Sequence, residues 1–269
     1  MEGQYSGVDI LKALEGAHNY NDYLTCLIRE SSESKDVVDF GAGTGTFAKR
    51  LRDEGCRVLC VEPDFSQRQR LIEAGFEVLA HIDSLPDESL PFVFSLNVFE
   101  HIEDDQRAIE QIHRKLAPGG ALLLYVPAFH CLWSTLDDKV CHYRRYTKKT
   151  LHLLVRPWFS IERLEYADSL GFIAALTFRL LRKNATALTP QSIAWYDQWI
   201  FPLSRILDIL LHRFLGKNVF VICKKLPSEC ADGAIHKEQP MRSIDPQLNS
   251  SNVNGLSRAS QTYFSSGIH

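Results

Sequence analysis

The segment Val37-Val38-Asp39-Phe40-Gly41-Ala42-Gly43-Thr44-Gly45 constrains the fold of this chain more than any other. A short apolar run, Lys35 to Phe40, meets three glycines spaced two apart. Phe47, Ala48 and Leu51 then recur at helical spacing between Thr46 and Glu54. The pattern predicts strand, turn and helix. Glycines in such a turn tolerate positive φ and let a ligand lie against the backbone. The turn sits at the carboxyl end of a strand, where open α/β sheets bind their ligands.

The alternation continues downstream. Arg57 to Val61, Phe76 to Ala80, Phe92 to Leu96 and Ala121 to Val126 read as strands, and Ser66 to Ala74 as a helix stopped by Gly75. Asp104 is a good N-cap for a helix whose apolar stripe is Ala108, Ile109, Ile112 and Leu116, ended by Pro118-Gly119-Gly120. Strands alternating with helices predict an α/β fold with a mostly parallel, doubly wound sheet.

Composition narrows the partners. Of 269 residues, 45% are hydrophobic, enough for a sizeable core. A net charge of −3 argues against a chain built to grip nucleic acid. The seven cysteines are odd in number and form no CxxC pair, so they read as reduced thiols. Met1 to Asp9 lacks the basic start and apolar run of a signal peptide. No run reaches the roughly 18 apolar residues of a spanning helix. A cytoplasmic protein is expected, with attachment to a membrane surface left open. From Pro227 the chain turns rich in Ser and Asn without a sustained period, so 227–269 is expected to be a disordered tail behind one domain over 1–226.

Two ligand classes compete for the glycine loop. A dinucleotide fold, as in a nicotinamide dehydrogenase, uses GxGxxG and rests a pyrophosphate on the helix N-terminus. This chain has GxGxG preceded by Asp39, whose carboxylate repels a pyrophosphate and attracts an ammonium. Glu62, at the end of the second strand, can accept from both hydroxyls of a ribose. The site therefore suits a ribose and a positive charge.

Asp39-Phe-Gly41-Ala-Gly43-Thr-Gly45 followed by Glu62 resembles the cofactor motifs of class I S-adenosylmethionine (SAM) dependent methyltransferases. Asp83-Ser-Leu-Pro86 resembles the loop that meets the adenine, and Ser95-Leu-Asn97-Val-Phe-Glu100-His101-Ile the segment after the fourth strand. Leu116-Ala-Pro-Gly-Gly120 resembles the turn before the fifth strand. Asn19-Tyr20-Asn21 resembles the amino-terminal stretch that closes over the cofactor. The matches span residues 19–126 in the family's order. The resemblance implies a Rossmann-like seven-stranded sheet whose last strand is antiparallel, with Phe159 to Tyr166 as sixth strand and Asn218 to Lys224 as seventh. It implies SAM as cofactor, with Asp39 near the methionine amino group and Gly41 and Gly43 against the cofactor. Glu62 would hold the ribose and Asp83 the adenine amine, the Asn97 backbone would lie under the methionine end, and Tyr20 would bind the cofactor from the stretch that closes over it. Glu100 and His101 have a second reading, as caps of the following helix. A catalytically silent SAM-binding subunit is the alternative from another class.

The acceptor is less legible. Asn97 is followed by Val98, so the Asn/Asp-Pro-Pro-Tyr signature of amide and nucleobase methylation is absent. A small-molecule acceptor methylated at oxygen or carbon is expected. The loop after the fifth strand carries His130, Trp133, Asp137, Asp138, His142, Tyr143, Arg144, Arg145 and Tyr146. His142 or His130 could serve as general base. Trp133, Tyr143, Arg144 and Arg145 are candidate acceptor contacts, the arginines for a phosphate or carboxylate. In the competing reading the arginines pair with Asp137 and Asp138. Those two acids alone give no ground for a metal. A helical insertion over 170–215 carries a stripe of Leu203, Ile206, Leu207, Leu210, Leu211 and Phe214 opposite Arg205, Asp208, His212 and Arg213, below Trp195 and Trp199. It reads as helices packed on the domain, as a lid over a lipophilic acceptor, or as an amphipathic surface for peripheral membrane contact.

Overall fold

The computed structural model describes residues 15–180 and 189–226, all within one compact unit. The expected tail at 227–269 lies outside the described residues.

After helix α1 (His18–Ser31) come β1 (Asp36–Phe40), α2 (Thr46–Asp53), β2 (Arg57–Val61), α3 (Phe65–Glu73), β3 (Glu77–Leu79), β4 (Leu90–Leu96), α4 (Asp105–Lys115) and β5 (Leu116–Pro127). Then follow α5 (Thr135–Lys139), α6 (Lys148–Val155) and β6 (Phe159–Ala167). The insertion holds α7 (Ser169–Leu180), α8 (Pro190–Trp195), a π turn at Tyr196–Ile200 and α9 (Phe201–Leu211), and β7 (Asn218–Lys225) closes the sheet. The seven strands run in the order β3-β2-β1-β4-β5-β7-β6. β1 pairs in parallel with β2 and β4, and β7 runs antiparallel between β5 and β6. This is the Rossmann-like arrangement expected.

β5 shows why the fold holds. Leu122 to Val126 are all fully buried, so the strand reads as an unbroken apolar run. Its side chains still alternate. Leu122, Leu124 and Val126 pack with Ile109 and Ile112 of α4 and with Leu151 and Val155 of α6. Leu123 and Tyr125 pack on the other face with Leu24, Leu27 and Ile28 of α1. Each such side chain contributes about 1.5–3 kcal/mol on burial. Asp104 caps α4 as expected, accepting from the Arg107 N–H at 3.0 Å. One boundary differs: Leu116 is the first residue of β5, paired with Leu90 of β4, and the Pro118-Gly119-Gly120 turn falls inside the strand where the register shifts. A Cβ on Gly120 would lie 2.9 Å from the Leu90 carbonyl, which is why the bulge takes a glycine.

The insertion is inverted relative to an ordinary surface helix. α9 buries Ser204 and Asp208, with Phe201 as the one apolar side chain buried beside them. Its apolar residues Leu203, Ile206, Ile209 and Leu210, with Phe214 beyond, are 55–72% exposed. The buried carboxylates anchor it. Asp208 accepts from the N–H groups of Asp168 (3.0 Å) and Ser169 (2.8 Å) and from Arg205 (2.9 Å). Asp168 accepts from the Gly171 N–H, the Tyr196 hydroxyl and the Ser204 hydroxyl at 3.0, 2.6 and 2.9 Å. Among the described residues no helix is long and apolar enough to cross a membrane.

Candidate active site

Strand order reverses between β1 and β4, so the crevice beyond their carboxyl ends receives the loops of both. The glycine loop leaves β1 with Gly41, Gly43 and Gly45 at φ of +86°, +53° and +79°. Gly41 also passes against β4's exit, for a Cβ there would sit 2.4 Å from the Val98 side chain. Both causes forbid a side chain. Gly41→Ala is expected to weaken cofactor binding at least about tenfold by calorimetry. Adding Val98→Ala should relieve the collision but not the positive φ, leaving part of the loss.

Two acids frame the loop. Glu62 ends β2, and its carboxylate accepts from the N–H groups of Gly43 (2.8 Å) and Asp64 (2.9 Å). Asp39 is 4% exposed, and no described residue donates a hydrogen bond to its side chain. Burial, with Glu62 adding repulsion, pushes its carboxyl up to about 8. A glycine cradle beside a buried acid without a donor fits the SAM expected here: ammonium against Asp39, ribose against Glu62.

The remaining candidate cofactor residues fall into two groups. Asn97, at a φ of +54°, donates its N–H to the Tyr125 carbonyl at 2.8 Å and lies beside the Tyr20 hydroxyl. Tyr20 is set between Tyr125 and Phe201, ring centroids 6.3 and 5.4 Å away. Burial pushes its phenol up to about 12. Its N–H and that of Asn19 donate to the Asp197 carboxylate of the insertion at 2.8 and 2.9 Å. The insertion therefore holds Tyr20 in place. Asp83 lies apart, half-exposed, with its oxygens accepting from Gln111 (2.7 Å) and Arg114 (2.8 Å) of α4. Each oxygen retains a second lone pair for an adenine amine.

The acceptor-side loop is tied to the end of β4. Tyr143 donates its N–H to the Glu100 carbonyl at 2.7 Å, and the Tyr146 hydroxyl donates to Asp105 at 2.8 Å. This brings His142 to Glu100 and His101. The His142 Nδ1 lies 2.8 Å from Asp137, and its Nε2 lies 3.9 Å from the Glu100 carboxylate. The His101 and His142 rings meet edge to face at 4.5 Å. Burial opposes a charge on Asp137. The hydrogen bonds from His142, Arg145 and the Ser134 N–H outweigh it and hold this carboxyl well below the usual range. Glu100 is 1% exposed, and burial pushes its carboxyl up to about 8. His130 packs on Trp133 at 5.2 Å, and the Trp133 indole donates to Asp138 at 2.8 Å.

The two arginines are not free forks for an anion. Arg145 donates to both Asp137 oxygens at 2.7 and 3.0 Å and to the Ala128 carbonyl at 3.2 Å. Arg144 pairs with Asp105 at 2.7 Å. Both guanidiniums therefore have internal partners in this loop. Asp138 pairs with Trp133 and with neither arginine. Sequence reading left Glu100 and His101 between cap and site. The cap is Asp104, and the pair joins His142. Asp197 carried no sequence signal beyond being an acid in an apolar stretch.

Three comparisons bear on identity. The family model for methyltransferase domains matches residues 15–166. An uncharacterized methyltransferase of Mycobacterium avium is 32% identical over 208 residues, covering 72% of this chain and 78% of the relative. A malonyl-[acyl-carrier protein] O-methyltransferase of Pseudescherichia vulneris is 28% identical over 156 residues, 52% of this chain and 62% of its own. In fold, the chain is similar to a SAM-dependent methyltransferase from Archaeoglobus fulgidus, with a TM-score of 0.52 and 18% identity over 76% of this chain and 94% of that one. With the glycine loop, the buried Asp39 and Glu62 after the second strand in the family's order, the chain belongs to the methyltransferase-domain family and is a class I SAM-dependent methyltransferase.

Proposed function

We propose that this enzyme moves a methyl group to an oxygen or carbon of a small lipophilic acceptor that it meets at a membrane surface. The observation that carries the reading is the inverted insertion. Apolar side chains of α7 and α9 face outward, with Trp195 and Trp199 each more than half exposed. Residues 169–217 contain only two acids, Asp197 and Asp208, and both are buried. Among the described residues Arg213 and Lys217 are exposed without an ion-pair partner, so the exterior of this segment offers two cations. Exposed aromatic, aliphatic and cationic side chains within one segment suit an anionic lipid surface.

The same segment touches both halves of the site. Phe201 packs on Tyr20. Arg179 donates to the carbonyls of Cys131 (2.9 Å) and Trp133 (3.1 Å). An acceptor entering from the lipid side would pass Trp133 and His130 and reach Glu100, His101 and His142. SAM, when bound, supplies a methyl group already activated on a sulfonium, so the chain mainly orients the acceptor. Asp39 would hold the ammonium, Glu62 the ribose and Asp83 the adenine amine, with Tyr20 and Asn97 at the methionine end. The O-methyltransferase named above supports oxygen as the acceptor atom.

The test is untargeted. The protein is incubated with SAM carrying a labelled methyl group and with lipid and aqueous extracts in parallel. Label in an organic-phase product is expected. Label only in a water-soluble product would overturn the lipophilic acceptor, and SAM binding without turnover in either extract would favour a silent regulatory subunit. Replacing Ile206 and Leu210 by Asp is expected to lower turnover of a vesicle-presented acceptor about tenfold or more while SAM affinity stays within about twofold.

A further inference from the structure

We propose that Glu100, His101 and His142 form a binding site for one divalent transition-metal ion of the zinc type, at the acceptor end of the methyl-transfer site. One donor atom from each of the three lies within 4.8 Å of the others. His142 Nε2 and the nearer Glu100 oxygen are 3.9 Å apart. Zinc-type bonds of about 2.0–2.2 Å set tetrahedral donors roughly 3.4 Å apart, so the side chains need to close by up to about 1.4 Å.

Two independent features point to a cation. Glu100 is 1% exposed, and its Oε2 is buried with no hydrogen-bond partner. A buried carboxylate oxygen left without a donor costs several kcal/mol, and a bound cation removes that cost. The second feature is the way both imidazoles are held. His142 is fixed through Nδ1 by Asp137 at 2.8 Å, and the backbone of Val140 takes a hydrogen bond from His101. An imidazole N–H on a carboxylate or carbonyl leaves the other nitrogen's lone pair free and aimed, the arrangement that orients metal-ligating histidines. The fold supplies the three donors from two places, the turn at Phe99–His101 after β4 and the strap at 140–143 after β5, joined by the Tyr143 N–H to Glu100 carbonyl bond.

Donor chemistry sets the class of ion. Two nitrogens and one oxygen suit zinc, cobalt, nickel or ferrous ions, whereas magnesium and calcium take oxygen shells. Three protein donors leave at least one position open. His101 is exposed, so that position is reachable by solvent and by an acceptor oxygen. The site deepens the methyl-transfer reading and rests on it for its purpose: the ion would orient the acceptor atom. It also makes His142 a ligand rather than a free base.

The test titrates the full chain with Co2+ and follows the visible d–d bands, with Zn2+ calorimetry in parallel. One Co2+ per chain is expected, weakened about 10–100-fold in His101→Ala and in Glu100→Gln. SAM affinity should be unchanged in both, and a thermal melt checks that each variant is folded. Absence of d–d bands at saturating Co2+, bands that survive both substitutions, or a sulfur-to-cobalt charge-transfer band placing the ion on a cysteine would each overturn the site. Failure of the unaltered chain to bind SAM would instead overturn the methyl-transfer reading and leave the Co2+ result standing.

Discussion

Asp39→Asn is expected to weaken SAM binding on the order of a hundredfold and, at the same time, to stabilise the free protein. The first effect follows from charge. A buried carboxylate facing an ammonium contributes about 2–5 kcal/mol when its partner is present, and the amide does not replace it. The second follows from linkage. Burial and Glu62 push the Asp39 carboxyl up to about 8, against an ordinary value of 3.8. Between those two values the unfolded chain gives up the proton while the folded chain keeps it. Stability therefore falls as pH rises from about 4 to 8 and levels off above. Asparagine has no proton to lose, so its advantage over the unaltered chain grows across that window. Allowing for relaxation around the charge, about 1–3 kcal/mol is expected at pH 8, or roughly 3–10 °C in Tm. Binding supplies a third signature. At pH 7 Asp39 is mostly protonated, and an ammonium favours its charged form, so SAM binding should release close to one proton. Calorimetry in two buffers of different ionisation enthalpy measures that release, which should vanish in Asp39→Asn. A variant that lost both affinity and stability would mark Asp39 as a structural residue.

The strand, glycine turn and helix around Asp39 were legible because they are local. Strand, glycine turn, helix and the acid at the next strand's end follow one another within Val37 to Glu62, and backbone constraints dictate the residues. The structure moved element ends by only a residue or two there. Leu116 shows the limit. Its apolar side chain fits the helical stripe of α4 as well as the start of β5, and pairing with Leu90 decides between them. The insertion shows a deeper limit. An amphipathic pattern fixes two faces and does not say which has a partner. Asp208 goes inward because the backbone N–H groups of Asp168 and Ser169 need an acceptor, and Ser204 because the Leu170 N–H does; that need comes from 34 to 40 residues earlier in the chain. The acceptor loop shows the same limit. A guanidinium beside two acids in sequence looks available, but Arg144 turns to Asp105 on a different helix.

Asp137→Asn is expected to be the most destabilising single change in this loop, costing about 3–5 kcal/mol, or roughly 10 °C in Tm. Asp137 is 1% exposed. Its carboxylate accepts two bonds from Arg145, one from His142, and two from Ser134, through the N–H (2.8 Å) and the hydroxyl (2.9 Å). Asparagine keeps the shape and one acceptor but turns a donor toward groups that donate. It also leaves Arg145, 11% exposed, without its counter-charge. Unlike Asp39, this carboxyl is held in its charged form by its neighbours, so removing the charge removes their stabilisation. The loss should be partly recovered in Asp137→Asn with Arg145→Met, since the second change takes away the stranded cation; a double-mutant cycle reads that coupling. Turnover should fall about a hundredfold or more, because His142 loses the group that fixes its tautomer. SAM affinity should stay within about threefold, since Asp39, Glu62 and the glycine loop make no contact with Asp137. A variant with unchanged Tm would show that Arg145 and His142 find other partners. One with collapsed SAM affinity would show that the acceptor loop and the cofactor loop are a single cooperative unit.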